Sequence, residues 1–126
     1  MIIGVDFDGT CVTHEYPVVG KDIGAVPVLK QLVKNGHQLI LFTMRGNADG
    51  GMIQDAIDWF KDNEIPLYGI NKNPTQHMWT NSPKAYCQLY IDDAALGVPL
   101  IYPYGERPYV NWNVVHDILV SQGIIK

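Results

Sequence analysis

The strongest constraint on the fold is a rhythm of short apolar runs separated by amphipathic stretches. Residues 2–6 (IIGVD), 38–43 (QLILFT), 67–70 (LYGI) and 88–91 (QLYI) read as buried strands. Between the first two, Val26, Leu29, Leu32 and Val33 recur at helical spacing. That helix is expected to start at Asp22, hold Pro27 in its first turn and stop at Asn35-Gly36. Between the second and third, Ile53, Ala56, Ile57 and Phe60 make the apolar face of a helix capped by Asn47 or Asp49 and ended by Pro66. A short helical stretch is expected at 83–87 and a fifth, short strand near 98–101. A last helix should carry Val115, Ile118 and Leu119, capped by Asn111 or Asn113 and stopped at Gly123. Strands alternating with helices predict an α/β fold, a parallel Rossmann-like sheet with helices on both faces. In such sheets ligands bind at the carboxyl ends of the strands.

At 126 residues the chain is one domain's worth. A composition of 47% hydrophobic and 17% charged residues excludes disorder. The longest apolar run, Ala94–Tyr102, is interrupted by Gly97 and Pro99, so no membrane span is expected. The opening MIIGVDFDG has no basic leader region, and the apolar run breaks at Asp6, which argues against a signal peptide. Cys11 and Cys87 do not make a disulfide framework or a zinc site, and a cytoplasmic protein with reduced thiols is expected. The net charge is −4 and no run of Lys or Arg occurs, so a general nucleic-acid surface has no support. His14, His37, His77 and His116 are scattered without metal-ligand spacing.

Chemistry concentrates at the predicted strand ends. Strand 1 runs into Asp6-Phe7-Asp8-Gly9-Thr10, strand 2 ends in Thr43, Lys84 precedes strand 4, and strand 4 ends in Asp92-Asp93. If strands 1 and 4 are neighbours, four carboxylates crowd one edge, and like charges that close are costly. A hard divalent cation relieves the cost. Mg²⁺ prefers oxygen ligands and often bridges one or two carboxylates to a substrate phosphate. Lys84 adds a compact positive charge and Thr43 a hydroxyl donor. Those parts suit a phosphoryl group.

The same residues resemble the haloacid dehalogenase (HAD) superfamily of phosphatases and phosphotransferases. VDFDGTCV resembles its motif I, LILFT its motif II, Lys84 its motif III and YIDDAAL its motif IV, in the family's order. The resemblance spans about residues 2–96. It implies a single HAD-like hydrolase domain over 1–126 with strand order 3-2-1-4(-5). The spaces where caps insert hold only a loop and one βα unit, which resembles the small capless members. By resemblance, Asp6 is the nucleophile that forms a phosphoaspartate, and Asp8 is the general acid and then base. Mg²⁺ is held by Asp6, the Asp8 carbonyl and Asp92, with Asp93 in support. Thr43 and Lys84 hold the phosphoryl oxygens, Lys84 also pairing with Asp6, and Thr10 braces the motif I turn. Lys84 stands only seven residues before Asp92, and Lys72 is the substitute. The expected activity is hydrolysis of a phosphate monoester on a small phosphorylated metabolite.

Gly9, Arg45 and Lys72 are further candidates to meet substrate; Arg45 could equally be an exposed loop residue. His14, Glu15 and Tyr16 lie near the expected rim, and the 71–83 loop with His77 and Trp79 could cover the site. The aromatic stretch 102–109 reads as a partner surface, a substrate rim or an ordered tail, and the oligomeric state is open. A phosphotransferase on the same scaffold ranks second, and a non-catalytic binding domain is the other alternative. A signalling receiver domain is rejected on chain order: its phosphorylated Asp would follow strand 3, which here ends in Ile70-Asn71.

Overall fold

The computed structural model describes residues 1–47 and 52–126. Four strands, β1 (Ile2–Val5), β2 (Gln38–Leu41), β3 (Gly69–Ile70) and β4 (Leu89–Ile91), form a parallel sheet in the order β3-β2-β1-β4. β1 is central and pairs Val5 with Leu41 on one side and with Ile91 on the other. The predicted order therefore holds for four strands. The fifth does not join them: β5 (Leu100–Ile101) pairs antiparallel with β6 (Tyr109–Val110) in a separate ribbon. The 102–109 stretch closes that ribbon, and the Val110 amide donates to the Gly9 carbonyl (3.0 Å), tying the ribbon to the turn after β1.

Three α-helices follow the apolar periodicity: α1 (Ala25–Lys34), α2 (Ile53–Asp62) and α3 (Trp112–Ser121). α1 starts three residues later than predicted. Asp22 is bridged to Val12 in an extended segment, and Gly24, at φ 92°, forms the break before the first turn. Pro27 then falls in that turn, where its missing N–H costs nothing. α2 begins after Met52, and the Ile53 amide bonds to the Gly46 carbonyl; Asn47 does not cap it, and Asp49 lies outside the described residues. α3 is capped by Asn111, whose side chain accepts from the Val114 amide.

Alternation along the strands sorts the two faces of the sheet. Ile3, Val5, Leu39, Leu41 and Ile91 join one core with Leu29 and Leu32 of α1, Phe60 of α2 and Trp112 of α3. All three helices thus cover the same face, and the expectation of helices on both faces is corrected. The opposite face, with Gly4 and Tyr90, is covered by the segment from 71 to 88, whose only helical turn is the 3₁₀ turn Gln76–Met78. A Cβ on Gly4 would lie 3.0 Å from Cys87 Sγ and from the Tyr90 ring, so a bare backbone lets this segment lie flat on the sheet. The helix expected at 83–87 is absent because Gln76 staples that stretch open. Its amide nitrogen donates to the carbonyls of Ser82 (3.2 Å) and Lys84 (2.7 Å), and its oxygen accepts from the Tyr86 amide (2.6 Å).

Trp112 couples the core to the turn after β1. It is fully buried, and its indole N–H donates to the Thr10 carbonyl at 2.6 Å. Trp112→Phe leaves that carbonyl buried without a donor, so a loss of about 2–3 kcal/mol is expected. Urea unfolding checks this: an unchanged midpoint would show that the bond carries no stability. No helix among the described residues is long and apolar enough to cross a membrane.

Candidate active site

The site is assembled where β1 and β4 end side by side. The Asp6 amide donates to the Ile91 carbonyl (3.0 Å), extending the β1–β4 ladder by one residue. The chain then turns, as the Phe7 carbonyl accepts from the amides of Thr10 (3.1 Å) and Cys11 (2.8 Å). Gly9 takes φ 80° in this turn, and Asp93 lies where its Cβ would be, so no other residue fits without displacing the acid. Thr10 then links the two strand ends. Its hydroxyl donates to Asp6 (2.9 Å) and accepts from the Asp93 amide (3.0 Å).

Asp6, Asp92 and Asp93 each bring a carboxylate oxygen within 4.8 Å of the others. Burial, the nearby Asp92 charge and a hydrogen bond with Asp93 push the Asp6 carboxyl up to about 8, against a smaller opposing effect of the Thr10 hydroxyl. Asp92 is also raised, first by burial and then by Asp93, although the Ala94 amide donates to it. The Cys11 thiol beneath them is buried and pushed well up by desolvation and by the Asp6 charge, so it is an inert packing group. The expected four-carboxylate cluster is therefore three carboxylates. The Asp8 side chain turns away and forms a two-point ion pair with Arg45, at 2.7 and 2.8 Å.

Arg45 is buried rather than exposed or open to substrate, and Asp8 raises its guanidinium further above its ordinary value. Thr43 sits at the end of β2. Its amide donates to the Asn71 side chain (2.8 Å), and its hydroxyl oxygen accepts from the Arg45 amide (3.1 Å). Among the described residues no bond uses its hydroxyl hydrogen, which leaves that hydrogen for an anion. Lys84 does not pair with Asp6 as expected. It is exposed, with Nζ 5.2 Å from the centroid of the Tyr90 ring, because the Gln76 staple holds residues 82–86 over the second face. Tyr90 lies within β4 and Asp92 just beyond its end, and among the described residues Lys84 makes no ion pair with the acidic cluster. Lys72 is exposed and lines a cleft of about 440 Å³ with Asn71, His77 and Asn81.

Arg45–Asp8, Asn71–Thr43 and the Gln76 staple were not legible in the sequence. Each joins residues from different segments, and no local pattern announces such a partner.

No protein-family model matches the chain, and no curated protein matches it. A solved structure does: a conserved protein coded by a locus of Bacteroides thetaiotaomicron is 34% identical, with a TM-score of 0.75. The match covers 97% of this chain and 91% of that one. On identity sustained over nearly the whole of both molecules, this chain belongs to one family with that Bacteroides thetaiotaomicron protein.

Proposed function

We propose that this protein is a Mg²⁺-dependent phosphatase of the HAD type, hydrolysing the phosphate monoester of a small metabolite through a phosphoaspartate on Asp6. The observation that carries this reading is the convergence of Asp6, Asp92 and Asp93 at the carboxyl ends of β1 and β4, with ligand oxygens within 4.8 Å. An all-oxygen donor set of this kind fits a hard divalent cation. Burial beside Asp92 makes negative charge on Asp6 costly, and a cation offsets that cost. Asp6, Asp92 and Asp93, with the Asp8 carbonyl, would hold Mg²⁺, which when bound neutralises charge on the phosphate and on its carboxylate neighbours.

The protein's own groups do the rest. An Asp6 oxygen forms a bond to phosphorus as the bond to the ester oxygen breaks, and Asp8 gives that oxygen its proton. Asp8 then takes a proton from water, which cleaves the phosphoaspartate and restores Asp6. The free Thr43 hydroxyl hydrogen suits a phosphoryl oxygen. To hold a phosphoryl oxygen, Lys84 would have to leave the Tyr90 ring. No second domain covers this edge among the described residues, so water has access, which favours hydrolysis over transfer to a bound acceptor. A cytoplasmic setting belongs to the same reading, since Cys11 and Cys87 are both free thiols.

Two observations favour a second reading. Asp8 is gripped by Arg45 and Lys84 stands off the cluster, an arrangement that a non-catalytic, cation-binding domain would tolerate. Phosphate release from sugar phosphates, nucleotides, an aryl phosphate and a phosphopeptide, each with Mg²⁺ and with chelator, separates the two. Release that requires Mg²⁺ is expected. Silence on every ester, in a folded protein that still binds the cation, would favour the binding domain.

A further inference from the structure

Arg45 is the only charged residue in the buried set among the described residues. Its five guanidinium hydrogens are all engaged. Nε and Nη2 bind the two oxygens of Asp8 at 2.8 and 2.7 Å. Nη2 also reaches the Val18 carbonyl (3.1 Å), and Nη1 reaches the carbonyls of Pro17 (3.1 Å) and Met52 (3.3 Å). The guanidinium carbon lies 5.2 Å from the ring centroids of both Phe7 and Tyr16. Every donor of the fork is spent inside the protein, so Arg45 has nothing left with which to hold a substrate phosphate. Whatever it does for the reaction, it does through Asp8.

We propose that Arg45 is a positioning residue for the proton transfer to the leaving group: its fork holds the Asp8 carboxyl apart from Asp6, Asp92 and Asp93 and presents it to the departing ester oxygen. The inference rests on the phosphatase reading. A two-point grip fixes the carboxyl plane, which a single hydrogen bond does not. It also keeps a fourth carboxylate out of the cation cluster. In the transfer, the O–H bond on one Asp8 oxygen breaks and its electrons stay on that oxygen. The proton joins the ester oxygen as the P–O bond breaks. Contacts with Phe7, with the 16–18 loop and with Met52 also engage the fork.

The test uses leaving groups. An aryl phosphate departs as a stable phenolate and needs little help from an acid, whereas an alkyl phosphate departs as an alkoxide and needs the proton. The ratio of kcat/KM for the two esters reports the first phosphoryl transfer alone, because that constant ends at the first irreversible step. It is measured for wild type, Arg45→Lys, Arg45→Gln, Asp8→Asn and the double variant Asp8→Asn/Arg45→Gln, each checked for a folded state by circular dichroism. Both Arg45 variants are expected to lower alkyl turnover by about 10²-fold and aryl turnover by less than about 10-fold. Asp8→Asn is expected to show the same bias, and the double variant to add nothing to it. Equal losses on both esters, or losses that multiply in the double variant, overturn the positioning role and leave the phosphatase reading standing. Arg45→Lys keeps the charge and one hydrogen bond, so it decides the matter if Arg45→Gln does not fold. A wild type inert toward both esters overturns the phosphatase reading and this role with it.

Discussion

Replacing Asp6 by Asn is expected to abolish Mg²⁺-dependent phosphate release, by at least ~10⁴-fold, while making the metal-free protein more stable. Asn has the same shape and can still accept the Thr10 hydroxyl hydrogen that now reaches Asp6 at 2.9 Å. It carries no charge, so the repulsion with Asp92 that helps raise the Asp6 carboxyl disappears, as does the cost of burying the ion. It also cannot form the phosphoaspartate. A rise in Tm of about 3–6 °C at pH 8 without metal is expected from relief of this size, together with a smaller shift on adding Mg²⁺, because one ligand has been neutralised. Phosphate release and calorimetry on the same preparation check both halves. Retained turnover with a raised Tm would mean that some other group attacks phosphorus; lost turnover with a lowered Tm would mean that the acidic cluster is not under strain.

The same carboxyls make metal-free stability depend on pH in a direction opposite to ordinary acid denaturation. Asp6 ionises at about 8 in the folded chain and near its usual value of 3.8 when unfolded. Folding therefore favours its protonated form. The stabilising contribution is fully present below the unfolded value, declines as pH rises from there, and is gone above about 8. Asp92, raised for the same reason, acts in the same direction. The Tm of the metal-free protein is expected to fall by about 5–10 °C between pH 5.5 and 8.5. Mg²⁺ competes with protons for these oxygens, so its stabilising effect should be largest at pH 8 and above and shrink toward pH 5.5. At a hundred times its Kd the cation adds about 2.7 kcal/mol. Thermal unfolding with and without Mg²⁺ across this range is the measurement, and calorimetric titrations in two buffers report the protons released on binding. A metal-free Tm that rises with pH would show that Asp6 is ionised throughout.

Much of the fold was legible locally. β1 and β2 announce themselves as short apolar runs, and α1 and α3 by periodicity, because burial of one face leaves a record in every third or fourth residue. A turn after β1 is present at Phe7–Cys11, but it does not bring the Asp8 side chain into the acidic cluster. The side of the sheet that each crossover takes was not legible. Residues 71–88 look like loop and helix remnant; that they spread over the second face depends on Gln76, whose side chain replaces three backbone partners at once, and on the absence of a Cβ at Gly4.

For the site, the sequence by itself determined which chemical groups stand at the strand ends: Asp6 and Asp8 after β1, Thr43 after β2, Asp92 and Asp93 after β4. Strand ends are set by local patterning, so residues next to them inherit their location. Only the tertiary structure decided how those groups are shared out. Asp6, Asp92 and Asp93 meet because β1 and β4 are neighbours. Asp8 leaves them because a buried guanidinium 37 residues away offers two hydrogen bonds and a full charge, whereas the cluster offers it only repulsion. Lys84 stays on the Tyr90 ring because the backbone that carries it is pinned from Gln76. Pairings of this kind depend on distances between segments far apart in the chain, and such distances exist only once the chain has folded.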